Sequence, residues 1–476
     1  MNESIGNAGG VSVLPRPFSG SEGMGFPSAA IGAGSRRTVL ENGLRVVTEP
    51  VPAVRSISMA VLADAGPGLD PPGKEGLAHL VEHLMFQGTS TRDALAIARL
   101  MDDAGGQIGG FTSRDYTCYA ATVLDDYRTY ALELLGDILL NSTFPDAALE
   151  RQQRAIVCEI EARRDSVEHR LETNLKQLAW SGTLLGRPIA GSPESVLRLK
   201  RADVLRFVAD SYLPEHMIVA AAGRVDHDDF VSQVRDAFWR LGSDQGLPSA
   251  PPPATATTAA AGRCDPLPGR VSLEHRPLAQ AYFSIALPAG PYADPERYPL
   301  FLLDRILGGG ISSRLFRRLR EEEGMVYDIG SQLHCYRRAG LWLIRGSTAP
   351  QNLSAALRKV LVELTGLLSG SRGADEEELV RARRQLSAQH LLGGENPHTR
   401  MSRLATQELY FGRSLSTEEI VVGIEAVNED ALLSRAQALR AAARGRLCLA
   451  VLAPDEPRWY GNESLEELLR EMDLRF

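Results

Sequence analysis

The sequence predicts an α+β protein built as two similar halves, and three observations carry that prediction. Apolar residues alternate over some short runs and recur at three- and four-residue spacing in others, so strands and helices are both expected. A stretch rich in Pro, Ala and Thr at 243–269 reads as a linker between parts of similar size, 37–242 and 270–476. Each part runs from strand-like sequence through helical sequence to a closing apolar strand, the mark of a duplicated plan, and each fits within a single domain.

Residues 1–36 are crowded with Gly, Ser and Pro, lack either periodicity and are expected to form a disordered leader. Val39 to Val47 places Asn42-Gly43 between two apolar runs, a hairpin signal. Ser56 to Ala65 alternates as a strand, with Ile57, Met59, Val61 and Ala63 on one face. Gly76 to Phe86 carries Leu77, Leu80, Val81 and Leu84 at helical spacing, and Ala147 to Arg164 does so with Leu149, Ile156 and Ile160. Met217 to Ala222 closes the first part as an apolar strand. The second part shows a strand at Tyr282–Leu287, helices at Leu300–Leu307 and Ser312–Glu323, and a strand at Leu341–Arg345. Long helices, a strand at Arg446–Leu452 and an amphipathic helix at Leu465–Met472 follow.

Composition narrows the function. The 476 residues hold 52 Lys and Arg against 60 Asp and Glu, a formal charge of −8 with no long basic run. Such a chain does not suit nucleic acid or an anionic membrane surface. No apolar run reaches the roughly 20 residues of a spanning helix. Cys118, Cys158, Cys264, Cys335 and Cys448 are odd in number and scattered, so they imply no disulfide framework and read as small buried hydrophobes. A soluble, cytoplasmic, multidomain protein is expected.

The chemistry concentrates in His79-Leu80-Val81-Glu82-His83. On a helix His79 and His83 project from one face on adjacent turns, as two imidazoles gripping one metal ion must. Glu82 lies one turn from His79, placed to act as a base toward water at that metal. The same five residues also suit a core helix with two half-buried histidines, and roughly one such chain in a hundred would hold the pattern by accident. A third ligand on a second apolar helix would decide the matter. Glu159 sits in apolar surroundings, Ala155-Ile156-Val157-Cys158, where a carboxylate needs a metal, a partner such as Arg163, or exposure at a helix edge. The histidines outside the motif lack partners at metal-binding spacing, and Gly308-Gly309-Gly310 lacks the Lys-Ser/Thr of a phosphate loop.

The five-residue segment resembles the inverted zincin motif of the pitrilysin, insulysin and mitochondrial processing peptidase family. In that family a ligand glutamate follows some 75 residues on, and Glu159 lies 76 residues beyond His83. Leu40 to Val46, Gly76-Leu77-Ala78, Phe86 to Thr89, Thr112 to Asp115, Leu185 to Ile189 and Leu307 to Phe316 are similar to the family as well, so the likeness spans about 37–455. The resemblance implies two homologous α/β-sandwich domains, half of a four-domain clamshell that a dimer completes. A homodimer is expected, with a homologous partner subunit as the alternative. It implies a zinc endopeptidase acting on peptides or unstructured segments, with one Zn2+ per chain on His79, His83 and Glu159 and Glu82 as general base and acid. The helix around Leu300–Arg305, which would correspond to the motif helix, has no histidine. Arg320 and Tyr327, seven residues apart, would anchor the substrate backbone and stabilise the oxyanion from the second half. On their own residues they read as a solvated arginine beside Glu321–Glu323 and a half-buried strand tyrosine.

Gly109, Gly110, Phe111 and Thr112 would form the sheet edge to which substrate adds. Two departures stand out: Gln152 where the family commonly has a second glutamate, and Gly109-Gly110 where it often has Asn-Ala. The competing expectation is a weak or inactive structural subunit, which those departures alone would support.

Overall fold

A computed structural model describes residues 34–239, 241, 270–454 and 462–473. Residues 1–33 of the expected leader and the linker at 243–269 lie outside the described residues. In the first half the order is β1 (Arg36–Val39), β2 (Arg45–Pro50), β3 (Ser56–Ala63), α1 (Leu77–Met85), α2 (Ala94–Asp103), β4 (Gln107–Thr112) and β5 (Thr117–Leu124). There follow α3 (Arg128–Asn141), α4 (Asp146–Asp165), α5 (Val167–Ala179), α6 (Pro193–Arg198), α7 (Arg201–Ser211), β6 (Met217–Gly223) and α8 (His227–Ala237). The second half runs β7 (Arg270–His275), β8 (Ala281–Ala289), α9 (Arg297–Leu307), β9 (Val326–Cys335), β10 (Gly340–Thr348) and α10 (Leu353–Ser369). It ends with α11 (Glu376–Gly393), α12 (Pro397–Phe411), α13 (Thr417–Glu425), α14 (Glu429–Ala443), β11 (Cys448–Ala453) and α15 (Asn462–Asp473).

The duplication is explicit in the sheets. The first has strand order β1-β2-β6-β3-β5-β4 and the second β7-β11-β8-β10-β9. In each, the first shared pair is parallel (β2 with β6, β7 with β11) and the rest antiparallel, so β4 and β9 are equivalent edge strands. The Asn-Gly signal is realised: β1 pairs antiparallel with β2, Gly43 has φ of +88° and the Asn42 side chain accepts the amide of Leu44. Strand order begins at Arg36, inside the span read as leader, because Arg36–Val39 pairs with Arg45–Thr48.

The alternation in β3 does not separate core from solvent, since both faces are covered. Ile57, Met59, Val61 and Ala63 pack into the helical layer of their own half. Ala60 and Leu62, with Val47, Ala120, Ile218, Ala220 and Ala222, meet Met401, Leu404 and Ala405 of α12. The alanines on that face admit the helix closely. The second sheet is served reciprocally: Leu171, Leu175 and Ala179 of α5 cover Ala286, Leu343, Cys448, Ala450 and Leu452. Each half therefore lends a helix to the sheet of the other, and neither sheet is closed by residues of its own half. Glu49 of β2, held by Arg400 and by Arg403 at 2.6 Å, adds a buried ionic tie under α12.

Two local expectations are corrected. The helix read at Ser312–Glu323 is π-helical over Phe316–Glu322, the wider turn that often marks functional segments. Cys158 is exposed while Cys118, Cys335 and Cys448 are buried; burial pushes the Cys118 and Cys335 thiols up to about 12, where they are inert.

Candidate metal centre

The centre is built on α1, whose start is unusual. Its N-cap is Gly76 at φ +94°, which has no side chain to cap the first turn. Glycine is required there, because a Cβ would lie 2.6 Å from the carbonyl oxygen of Ala190. The free amides of Gly76 and Ala78 are instead taken by the buried carboxylate of Asp70, at 2.8 and 2.9 Å. Burial pushes Asp70 up to about 7, a rise that the bonds from Ala78 and Gly76 oppose. Arg187 donates to the Asp70 carbonyl at 3.0 Å, tying the cap to the Leu185–Ile189 segment. Asp70 and Arg187 were not singled out as site residues by sequence reasoning. The signal was a glycine where a helix ordinarily carries Ser, Thr, Asp or Asn.

α1 is nearly all core, so His79 and Glu82 are buried, 6% and 7% exposed, while His83 lies at the margin. The two rings stand edge to face with centroids 4.6 Å apart. From α4, Glu159 turns one oxygen to both: Oε2 is 3.4 Å from His79 Nε2 and 3.7 Å from His83 Nε2. Its other oxygen, Oε1, is 2.5 Å from Arg163 Nη2. Of the readings of Glu159 that sequence left open, the Arg163 pair is present, and it leaves the other oxygen facing the rings.

The remaining ring nitrogens are also assigned. His79 Nδ1 donates to Glu82 Oε2 at 3.1 Å, and His83 Nδ1 donates to Gln152 Oε1 at 3.2 Å. Each ring thus turns Nδ1 to an orienting partner, which leaves Nε2, the nitrogen on the Glu159 side, as the atom that would ligate a metal. Gln152 takes the role of orienting partner with a neutral acceptor in place of a carboxylate. Glu82 meets His79 on the side opposite Glu159, and its Oε2 also accepts from Thr112 Oγ1 at 2.9 Å. Thr112 closes β4, the strand predicted as a substrate edge; Gly109–Thr112 lies on the free edge of the first sheet. A Cβ on Gly110 would come within 3.0 Å of Glu82 Cγ, so this glycine makes room for the carboxylate.

The electrostatics are those of a cation site. Burial opposes charge on His79, yet its hydrogen bonds to Glu159 and Glu82 lift it to about 9. Burial would raise Glu159, but His79, Arg163 and His83 bring it down to about 2. Glu82 is likewise held below the usual carboxylate range against burial, chiefly by His79, while burial and His79 lower His83. Two carboxylates thus draw positive charge into the space between the rings. Two imidazole nitrogens and a carboxylate oxygen converging there fit Zn2+, whose ligands are of these types. Among the described residues, the one group of three or more ligand-type side chains within such reach is on this helix, comprising His79, Glu82 and His83.

Arg320 and Tyr327 are brought to each other but not to this centre. The Arg320 guanidinium lies 4.8 Å from the Phe316 ring centroid and 5.8 Å from that of Tyr327. Tyr327 is the second residue of edge strand β9 and is 71% exposed, not half-buried. Among the described residues neither bonds to His79, Glu82, His83 or Glu159. In the second half α9 stands where α1 stands in the first, and its buried Asp304 serves structure, accepting from Ser331 Oγ at 2.6 Å and Trp342 Nε1 at 2.7 Å.

Comparison with known proteins bears on the family and the fold. Residues 45–193 match the family model described as Insulinase (Peptidase family M16), and residues 198–386 match that described as Peptidase M16 inactive domain. The chain belongs to peptidase family M16. An uncharacterized zinc protease of Mycobacterium tuberculosis is 34% identical over 446 residues, covering 94% of this chain and 98% of its own. One from Streptomyces coelicolor is 33% identical over 398 residues, covering 83% and 85%. One from Bacillus subtilis is 30% identical over 396 residues, covering 83% and 92%. Among solved structures, the peptidase M16 inactive domain from Pseudomonas fluorescens superposes with a TM-score of 0.78 at 18% identity, covering 89% of this chain and 98% of that one. A protease from Helicobacter pylori matches equally, at 0.78 and 18%, covering 88% and 99%. These structures show that the M16 chain shares their fold. No helix among the described residues is long and apolar enough to cross a membrane.

Proposed function

We propose that this M16 chain is a zinc-dependent endopeptidase that cleaves peptides or unstructured precursor segments inside a chamber closed by dimerisation. The observation that carries the reading is the convergence of His79 Nε2 and His83 Nε2 on Glu159 Oε2, 3.4 and 3.7 Å away, with Glu82 fixed beside them at a free strand edge. His79, His83 and Glu159 would hold one Zn2+ per chain. Bound zinc supplies a Lewis acid that polarises the scissile carbonyl and acidifies water.

The chain's own residues do the rest. A peptide adds to β4 along Gly109–Thr112, main chain to main chain, so its carbonyl passes Glu82. Glu82 takes the proton of the attacking water and returns it to the leaving amine. His79 and Thr112 hold the carboxylate in place for both transfers. Arg320 anchors the substrate backbone and Tyr327 donates to the developing oxyanion. Arg320, exposed on the π-helical segment, and Tyr327, exposed on β9, make no contact with the centre among the described residues, which suits service to the centre of a partner subunit.

The test is cleavage of a peptide library by the zinc-loaded protein with mass-spectrometric readout. We expect chelator-sensitive hydrolysis, and Glu82→Gln to lower kcat by about 10²–10⁴-fold with zinc still bound. Mixing Glu82→Gln chains with Arg320→Ala chains should restore activity that each parent lacks. A protein that binds zinc yet cleaves nothing would instead be a structural subunit, and no recovery after verified subunit exchange would refute the service in trans.

A further inference from the structure

The second half also reaches the base of its own chain, by a route that sequence did not suggest. The β4–β5 turn, Ser113–Tyr116, is closed by the Ser113 amide on the Tyr116 carbonyl at 2.8 Å. Within it Asp115 Oδ2 accepts the backbone amide of Arg337, from the β9–β10 turn, and the hydroxyl of Tyr410, from α12, both at 2.8 Å. The Arg337 guanidinium grips Asp64, just past β3, with two bonds of 2.9 and 2.7 Å. Tyr410 is held in turn by a 4.4 Å stack on Tyr292. Arg114 runs to the carbonyls of Leu185 and Arg187 at 2.5 and 2.9 Å, with its guanidinium 5.9 Å from the centroid of Tyr336. The equivalent hairpin turns of the two halves are thus interlocked, and the first of them carries both the substrate edge and Thr112, the donor to Glu82.

We propose that Asp115, gripped by Arg337 and Tyr410 of the second half, is a positioning residue that fixes the β4–β5 hairpin so that Thr112 orients Glu82 and β4 keeps its substrate register. The proposal rests on the peptidase reading above, and it gives the second half a task in its own chain besides the one assigned to Arg320 and Tyr327 in the partner's. Asp115 lies three positions beyond Thr112 across a closed turn, so a turn released at Asp115 lets Thr112 swing. A 1 Å misplacement of a catalytic group costs about a hundredfold at most, and a half-released hairpin about tenfold.

The experiment is a double-mutant cycle in the full, zinc-loaded chain, with Thr112→Val, Asp115→Ala and the double variant, plus Tyr410→Phe as a milder change that removes one hydrogen bond. Each single variant should bind zinc as the parent does and lose about tenfold in kcat, less for Tyr410→Phe. Asp115→Ala should add little in the Thr112→Val background, because both act on one bond. Additive losses, or an unchanged kcat in Asp115→Ala, would overturn the proposal. Backbone hydrogen exchange across 109–116 is measured on the same variants and needs no turnover. It should quicken in Asp115→Ala and Tyr410→Phe, and unchanged protection would refute the clamp even if no substrate is ever cleaved. Absence of cleavage by the parent with quickened exchange in the variants would refute the peptidase reading and leave the clamp standing.

Discussion

Replacing Asp70 by alanine should weaken the metal centre although Asp70 faces no metal. The carboxylate is 4% exposed and takes the amides of Gly76 and Ala78 at 2.8 and 2.9 Å. Both amides lie in buried residues at the start of α1, and Gly76 offers no side chain in exchange. Alanine leaves two buried donors without an acceptor, at about 1–3 kcal/mol each, or about 2–4 kcal/mol after some relaxation. In a unit of this size that corresponds to a fall in Tm of about 5–15 °C. Asparagine keeps one acceptor oxygen and should lose about half as much. His79 lies in the first turn of α1, so part of the loss reappears in binding, tenfold in zinc affinity for each ~1.4 kcal/mol that the metal must spend reordering the turn. Thermal unfolding with and without zinc, together with a chelator-competition Kd, measures both quantities. An alanine variant that loses less than about 0.5 kcal/mol and binds zinc like the parent would refute the capping argument.

Two other outcomes are expected. Gln152→Glu should tighten zinc binding by about tenfold in the same competition assay, because a carboxylate accepting from His83 Nδ1 makes Nε2 a stronger donor; Gln152→Ala should weaken it by a similar factor. His390 of α11 is fully buried, neither ring nitrogen has a hydrogen-bond partner among the described residues, and burial together with Arg403 pushes it down to about 3. Its neutral form is the native one, so the stability it permits is present above the unfolded value near 6.5 and is lost as pH falls toward 3. Between pH 7.5 and 5.5 the parent should therefore lose about 1 kcal/mol more unfolding free energy than His390→Leu, as read from denaturant titrations. Equal losses in the two proteins would show that His390 stays neutral in neither state or both.

How much of this was legible depends on the range of the interactions concerned. Spacing alone put His79 and His83 on one helix face, because the α-helix repeats within five residues. The hairpin at Asn42-Gly43 and the apolar strands Met217–Ala222 and Tyr282–Leu287 are equally local, and all formed. The π-turn at Phe316–Glu322 was not legible, since its residues are those of an ordinary helix and packing selects the wider winding. For Glu159, local sequence offered a metal, an arginine or solvent, and only the fold could split its two oxygens between Arg163 and the histidine rings. Asp70, Asp115, Arg337 and Tyr410 escaped because each acts on residues brought near by folding, with Asp115 and Tyr410 separated by 295 positions.

By itself the sequence determined the two-part plan, the position of the paired imidazoles and the residue types able to attend them, since helical and strand periods are properties of neighbouring residues. Only the tertiary structure decided which carboxylate oxygen faces the rings, that Gln152 and Thr112 orient His83 and Glu82, and that each half closes the sheet of the other. Those outcomes depend on how apolar faces pack across long separations, and a side chain's partner is chosen there by what burial brings within hydrogen-bond reach.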